Sequence, residues 1–165
     1  MDELDFASIY ERYSRDVYRF AIYLSGDLAV AQDITAETFA RAWAVHEQVR
    51  VGSVKAYLLM IARNLYRDDR RKPVEARLPA AVEVRDPGRG PEAAAQARDE
   101  LQVVLRALRE IPELDRAALL MATVEGLSHQ AIASALGLSA AAVKVRVHRA
   151  RVKLNAARGT GVGTT

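Results

Sequence analysis

The sequence predicts an all-helical protein of two small domains joined by a flexible linker. Apolar residues recur at helical spacing along nearly the whole chain, and no strand-like alternation bounded by turn residues persists anywhere. The exception is the stretch 73–91, where four prolines and two glycines oppose a continuous helix. We therefore expect a first domain over 1–72, a linker over 73–91, a second domain over 92–158 and a disordered tail over 159–165.

The composition is that of a foldable globular chain, with 50% hydrophobic and 27% charged residues in 165. The chain has no cysteine, which excludes disulfides and cysteine-ligated zinc. The first five residues are acidic where a secretory signal would be basic, and no apolar run approaches the roughly 18 residues that span a bilayer. We expect a cytoplasmic protein without membrane insertion.

The sequence offers little for catalysis. His46, His129 and His148 are far apart and lack the spacing of a metal-binding helix, so we predict no metal site. The chain also lacks a glycine-rich phosphate loop and a nucleophile elbow. The one enzymatic hypothesis that remains is that Asp33 and Glu37 ligate a divalent ion. We predict a protein that is not an enzyme and has no cofactor.

In the first domain, Gly26 should end one helix, Asp27 should cap the next, and Ser53 should cap a third that runs to Pro73. Phe39 and Trp43 are interpreted as packing residues. A narrow stripe opposite the apolar face of the second helix carries Asp33, Glu37 and Arg41. Spacing alone favours a surface ion-pair ladder there. On the third helix we expect outward-facing side chains at Arg63, Asn64, Arg67, Arg70 and Arg71.

The second domain contains a pattern typical of a helix–turn–helix. Pro112 should start one helix and Gly126 should end it. Ser128 and Ser139 can then cap a short helix over 129–136 and a longer one over 140–154, joined through Gly137. Such a pair places its second helix in the major groove of DNA.

Charge supports a DNA-binding role for that second helix. After Gly126 the chain carries six of its 24 Lys and Arg residues and none of its 21 Asp and Glu residues. No acidic residue on the helix itself can therefore pair with these cations at helical spacing. Val143 and Val147 face inward, which leaves a cationic outer face. The residues we expect to contact DNA bases or phosphates are Ala141, Lys144, Val145, Arg146, His148, Arg149, Arg151 and Lys153.

Several segments resemble a known family. Residues 127–133, 136–139 and 143–151 resemble the C-terminal promoter-reading domain of bacterial RNA polymerase sigma factors. Residues 31–43 and 57–65 resemble conserved region 2 of the same family. The two segments occur in the family's order, and the short length resembles the extracytoplasmic function (ECF) group of the sigma-70 family. The expected fold is then a region 2-like helical bundle followed by a region 4-like helix–turn–helix domain.

The resemblance implies partners and roles. Such proteins bind the clamp helices and flap of core RNA polymerase, direct it to duplex and single-stranded promoter DNA, and are commonly held inactive by an anti-sigma factor. It implies that Asp33, Glu37 and Arg41 meet the clamp helices and that Lys144, Val145, His148 and Arg149 read the minus 35 duplex. The minus 10 strand would contact Lys55, Arg63, Asn64, Arg67, Arg70 and Arg71.

One alternative remains open from the residues. A one-component regulator could bind duplex operators as a homodimer through the same helix–turn–helix, with the first domain as a sensor or dimer platform. Such a sensor would not need the Asp33, Glu37 and Arg41 stripe beside a basic helix. Co-purification with core polymerase distinguishes the two.

Overall fold

The fold is all-helical over the part of the chain that the computed structural model describes, residues 3–45, 53–71 and 90–161. No strand occurs in these three ranges, which confirms the predicted fold class. The helices are α1 (Glu3–Ser25), α2 (Leu28–Ala44), α3 (Val54–Arg70), α4 (Pro91–Arg109), α5 (Glu113–Thr123), α6 (His129–Leu136) and α7 (Ala140–Gly161).

The first three helices pack against one another, and their ends follow local sequence signals. Gly26 has a φ of 71° and donates its N–H to Ile22 O at 2.8 Å, which closes α1. The Asp27 carboxylate accepts the N–H groups of Ala29 and Val30 at the start of α2. Ser53 Oγ caps α3. These three predicted signals are confirmed.

The last four helices are also delimited by predicted residues. Gly90 is the N-cap of α4 and Pro91 its first residue, so the last two positions of the predicted linker belong to this helix start. Pro112 precedes α5. After α5, Gly126 has a φ of 68°, and Leu127 N–H reaches back to Met121 O at 2.9 Å. The rest of the linker lies outside the described residues.

The two halves of the chain pack together, a point that the sequence left open. Helices α1 and α3 contact helices α4, α5 and α6. Their buried apolar side chains form one continuous cluster, which includes Phe20 and Leu59 of the first half and Met121 and Ile132 of the second. Burial of that apolar surface stabilises the packing of the two halves against each other, which we call the closed arrangement.

Two details differ from the sequence expectations. α7 continues to Gly161, so positions 159–161 of the predicted tail are helical, because the hydrogen-bond ladder of α7 extends without a proline to interrupt it. Positions 162–165 are outside the described residues. Arg63, predicted to face outward, is 8% exposed because α5 covers its face of α3.

No single helix in the described ranges is long and apolar enough to cross a membrane; α6 and α7 pass such a test only as a pair bent by 98°.

Candidate nucleic-acid and protein interfaces

The turn between α6 and α7 has the geometry of a helix–turn–helix. Ser128 Oγ accepts the Ala131 N–H at 3.1 Å and starts α6. Gly137 ends it with a φ of 68°, a conformation that favours glycine. Ser139 Oγ then accepts the Ala142 N–H at 3.0 Å, which satisfies the first turn of α7. The two helices meet at 98°.

One face of α7 is buried and the other is open. Val143 and Val147 are 0% and 3% exposed and fix the helix against α5 and α6. Val145 on the outer face is 56% exposed, so an apolar side chain is presented to solvent beside cationic ones. The other predicted DNA-contacting residues that lie exposed are Ala141, Lys144, His148, Arg149, Arg151 and Lys153.

Two arginines of α7 bind an acidic residue that lies on α5. Asp115 is 5% exposed, and its Oδ1 accepts Arg146 Nη1 at 2.7 Å and Arg149 Nη2 at 3.3 Å. The sequence did not indicate Asp115 as a partner of these arginines, because helical spacing reveals ion pairs only within one helix. Arg146 is half-buried by the contact, whereas the Arg149 side chain stays 58% exposed. Asp115 therefore positions both guanidinium groups at the edge of the outer face.

The predicted acidic and basic stripe of α2 lines a groove. Arg41 Nε lies 3.3 Å from Glu37 Oε1, with both side chains more than half exposed, and Asp33 is exposed one turn earlier. The groove between α2 and α3 has a volume of about 690 Å³, and Asp68 and Asp69 of α3 line its other side. The stripe is thus open to a partner and mostly acidic.

The predicted minus 10 residues of α3 divide into two sets. Asn64, Arg67, Arg70 and Arg71 are exposed. Asn64 also lines a cavity of about 300 Å³ beside Tyr57 and Arg41. Two other residues, Lys55 and Arg63, face the second half of the chain instead.

Lys55 and Arg63 bind acidic residues across the interface between the halves. Arg63 donates Nε and Nη2 to the two carboxylate oxygens of Glu113 at 2.7 and 2.8 Å. Lys55 Nζ lies 3.0 Å from Glu125 Oε2 and donates to Glu125 O at 2.9 Å. In this closed arrangement neither cation is available to a DNA strand.

Two known family models match this chain, one in each half. The family described as Sigma-70 region 2 matches residues 9–74, and the one described as Sigma-70, region 4 matches residues 101–154. SigL of Mycobacterium tuberculosis, an ECF RNA polymerase sigma factor, is 31% identical over 150 residues, which are 87% of this chain and 82% of SigL. The chain belongs to the ECF RNA polymerase sigma factor family.

Other relatives extend the comparison. SigE of Mycolicibacterium smegmatis, also an ECF sigma factor, is 34% identical over 145 residues, which are 84% of this chain and 55% of SigE. The chain described here therefore spans about half the length of SigE. In a co-crystal structure, the sigma factor RpoE from Bartonella quintana is bound to the anti-sigma factor NepR; RpoE is 26% identical to this chain. The superposition has a TM-score of 0.76 and covers 94% of this chain and 97% of RpoE.

The region 2 match bears on the alternative hypothesis. A one-component regulator would need its first half as a sensor or dimer platform, whereas here that half matches a sigma factor region. The predicted family is confirmed, and the homodimeric regulator loses its support.

Sequence reasoning also missed the ion pair between Arg19 and the buried carboxylate of Glu125. The Glu125 side chain is fully buried and accepts Arg19 Nε at 3.1 Å and Nη2 at 2.9 Å. The hydrogen bond from Arg19 to Glu125 is the main reason that the pKa of Arg19 is raised above its already high ordinary value. Asp16 also accepts Arg19 Nη2. Nothing in the local sequence around Glu125 indicates a partner 106 positions earlier.

Proposed function

We propose that this chain binds core RNA polymerase in the cytoplasm and directs it to promoters, where transcription begins, and that it is not itself an enzyme. The observation that carries the proposal is the exposed cationic face of α7 behind a glycine turn, in a chain of the ECF sigma factor family. The functional units are residues 1–72 and 92–158, with the stretch 73–91 as the tether between them.

The second unit reads the minus 35 duplex through α7. Lys144 and Arg149 donate to base edges or phosphates, and exposed Val145 is positioned to contact a thymine methyl group. Each phosphate that a cation neutralises releases condensed counterions, so affinity falls steeply with salt. The same unit contacts the polymerase flap, as the family resemblance implies.

The first unit binds the polymerase through the groove between α2 and α3. Its exposed acidic residues Asp33 and Glu37 fit a basic partner surface such as the clamp helices of the largest subunit. Arg41, paired with Glu37, would add a donor for an acceptor on that surface.

The same unit holds the minus 10 strand through α3. Asn64, Arg67, Arg70 and Arg71 are exposed in the closed arrangement, but Lys55 and Arg63 are engaged by the second unit. Strand binding by all six residues therefore requires the halves to separate. The closed arrangement is accordingly a form with reduced promoter affinity.

An anti-sigma factor is the expected regulator of the equilibrium between the closed arrangement and a form in which the two halves are separated. One superposition covers nearly the whole of this chain and of RpoE, which requires a similar arrangement of the two halves, and RpoE was crystallised with an anti-sigma factor. A partner that binds both halves of this chain would hold it closed and keep Lys55 and Arg63 from DNA.

Run-off transcription with purified core polymerase on a promoter library tests the proposal. We expect transcripts that depend on this chain and are reduced by Lys144→Ala combined with Arg149→Ala. The control is Arg98→Ala, which removes an exposed cation of α4 whose side chain, within the described residues, donates to Ala94 O of the same helix. If the core enzyme starts no RNA chain on any template with this protein, the proposal is wrong.

A further inference from the structure

Asp115 places a buried carboxylate beside the DNA-facing helix. It lies in the first turn of α5, where the partial positive charge of the helix N-terminus favours a carboxylate. Its side chain is 7% exposed, so water competes little for its hydrogen bonds. Helices α5 and α7 are in contact, and the buried side chains of Val143 and Val147 hold α7 in place. The carboxylate of Asp115 therefore has a fixed position relative to α7.

The two arginines that bind Asp115 are held unequally. Arg146 Nη1 lies 2.7 Å from Asp115 Oδ1, and 30% of the Arg146 side chain is exposed. Arg149 Nη2 lies 3.3 Å from the same oxygen, and 58% of the Arg149 side chain is exposed. The contact uses one terminal nitrogen of Arg149, and its other guanidinium donors make no hydrogen bond within the described ranges. Arg146 is thus the anchored member of the pair, and Arg149 is the accessible one.

Two other exposed cations of α7 are not held in this way. The side chains of Lys144 and Arg151 make no hydrogen bond or ion pair with any residue that the structure describes. Ordering one such long side chain on binding lowers affinity by about 2- to 13-fold. Arg149 is already restrained by Asp115 before DNA arrives, so it loses less freedom on binding than Lys144 or Arg151.

Restraint at one nitrogen suits an arginine that reads a base. Guanine presents O6 and N7 in the major groove, and the planar fork of arginine donates to both in one geometry. Phosphate contacts fix the position of a protein on the duplex but carry no sequence information directly. A fixed orientation therefore increases base discrimination by Arg149, whereas the mobile side chains of Lys144 and Arg151 suit phosphates.

We propose that Asp115 is a positioning residue for promoter reading, which orients Arg149 towards a guanine of the duplex. Arg146 secures the carboxylate and makes no DNA contact of its own. Lys144 and Arg151 bind phosphates irrespective of sequence. The inference rests on the proposed function and deepens it, because it assigns base reading to Arg149 and phosphate binding to Lys144.

Charge and orientation predict opposite effects of one substitution. Asp115→Asn removes a negative charge beside two arginines, so affinity for duplex DNA of random sequence should stay the same or rise. The same change weakens the hydrogen bonds that restrain Arg149, because an uncharged amide replaces the carboxylate. Preference for guanine should therefore fall by about 2- to 13-fold. A change that merely damaged the fold would lower affinity for every sequence.

Selection of the full chain on a library of random duplexes, followed by binding titrations, tests the proposal. Arg149→Ala identifies the base pair at which preference depends on Arg149, and the wild type should prefer guanine there. Asp115→Asn should lower that preference, and it should have no further effect at that base pair when combined with Arg149→Ala. The matched control is Asp99→Asn, which removes an exposed carboxylate of α4 and should keep the wild-type preference.

A measurement on the wild type does not depend on whether Asp115→Asn folds. Nuclear magnetic resonance relaxation of the Nε–H groups should show that the Arg149 side chain is more restricted than that of Arg151 in the protein without DNA. The Arg149→Ala variant assigns the signal. Equal mobility of the two side chains would overturn the proposal.

The outcomes separate this inference from the proposed function. If the wild type prefers no duplex sequence, promoter reading by α7 fails, and the inference fails with it. If the wild type prefers a sequence and Asp115→Asn keeps that preference, the positioning role alone is wrong. A uniform rise in affinity for all sequences would show that Asp115 acts only by neutralising charge, and a uniform fall would show that it acts only on the fold. Either result would overturn the proposal.

Discussion

Arg63 of α3 and Glu113 of α5 form a two-point ion pair that joins the halves of the chain, with nitrogen–oxygen distances of 2.7 and 2.8 Å. The Arg63 side chain is 10% exposed and that of Glu113 is 26% exposed. A residue predicted to hold a single DNA strand is thus occupied by a carboxylate of the same chain. If Arg63 holds a strand phosphate as predicted, Glu113 occupies the position of that phosphate, and we expect closure and strand binding to compete.

Removing that carboxylate should favour the open arrangement. We expect Glu113→Gln to destabilise the closed interface by about 1–3 kcal/mol, because Arg63 stays buried with a weaker, uncharged partner. Affinity for a minus 10 single strand should rise accordingly, measured by fluorescence anisotropy. Glu100→Gln, an exposed change on α4, should leave it unaltered. Equal affinity of both variants for the single strand would contradict a competition between closure of the two halves and strand binding.

The Glu125 cluster should contribute more to stability than to binding. Glu125→Gln removes one of the two carboxylates that Arg19 and Lys55 share, the other being Asp16, and we expect a loss of about 1–3 kcal/mol in urea unfolding. The estimate is below that for a fully buried pair because the Arg19 side chain is 42% exposed and can regain water. The raised pKa of Arg19 means that its contribution is complete at neutral pH and is lost only in strong alkali. Stability between about pH 6 and 9 should therefore not vary through Arg19.

Lys144→Ala and Arg149→Ala should each weaken duplex binding by about 1–3 kcal/mol if the side chain contacts a base. If the side chain instead contacts a phosphate, its removal should lower the salt slope by about 0.9 per cation. Titrations at several salt concentrations separate the two cases. Unchanged affinity and slope in both variants would remove α7 as the reading helix.

Charge reversal on α2 should weaken polymerase binding without unfolding. Asp33→Lys combined with Glu37→Lys changes only exposed positions, so the melting temperature should move little while affinity for core polymerase falls. The matched control reverses Asp99 and Glu100, an exposed acidic pair on α4. Polymerase binding equal to that of this control would refute the clamp assignment.

Replacing Gly137, the turn glycine of the helix–turn–helix, should destabilise the protein because of the backbone conformation at this position. A Cβ at Gly137 meets no atom within 4 Å, but φ is 68°, so Gly137→Ala should cost about 1–2 kcal/mol from the left-handed conformation alone. Gly159→Ala in the helical part of α7 meets no atom either and should be neutral or stabilising by up to about 1 kcal/mol. Denaturant unfolding of both variants compares them. A similar effect of the two changes would show that the turn is not strained.

The sequence predicted those features that depend on neighbours within about four residues. Ser128, Gly137 and Ser139 delimit α6 and α7 because capping and left-handed turns are local requirements of the backbone. The inward set on α7, with Val143 and Val147, followed from helical periodicity in the same way. Exposure of Asp33 and Glu37 was predictable for that reason as well.

Prediction failed where a second helix covers a face that periodicity assigns to solvent. Arg63 lies on the polar side of α3 by its spacing, yet α5 covers it and supplies Glu113. Likewise, α7 has no acidic residue of its own, but Asp115 approaches from α5. Spacing within one helix carries no information about such partners.

By itself the sequence determined the helices, the turn that presents α7, the cationic charge of its outer face and the resemblance that led to the family. Only the tertiary structure decided which of those charges are paired. Local backbone and capping energies operate over a few residues, whereas Arg19 and Glu125, 106 positions apart, meet because burial of a shared apolar core brings α1 against the end of α5.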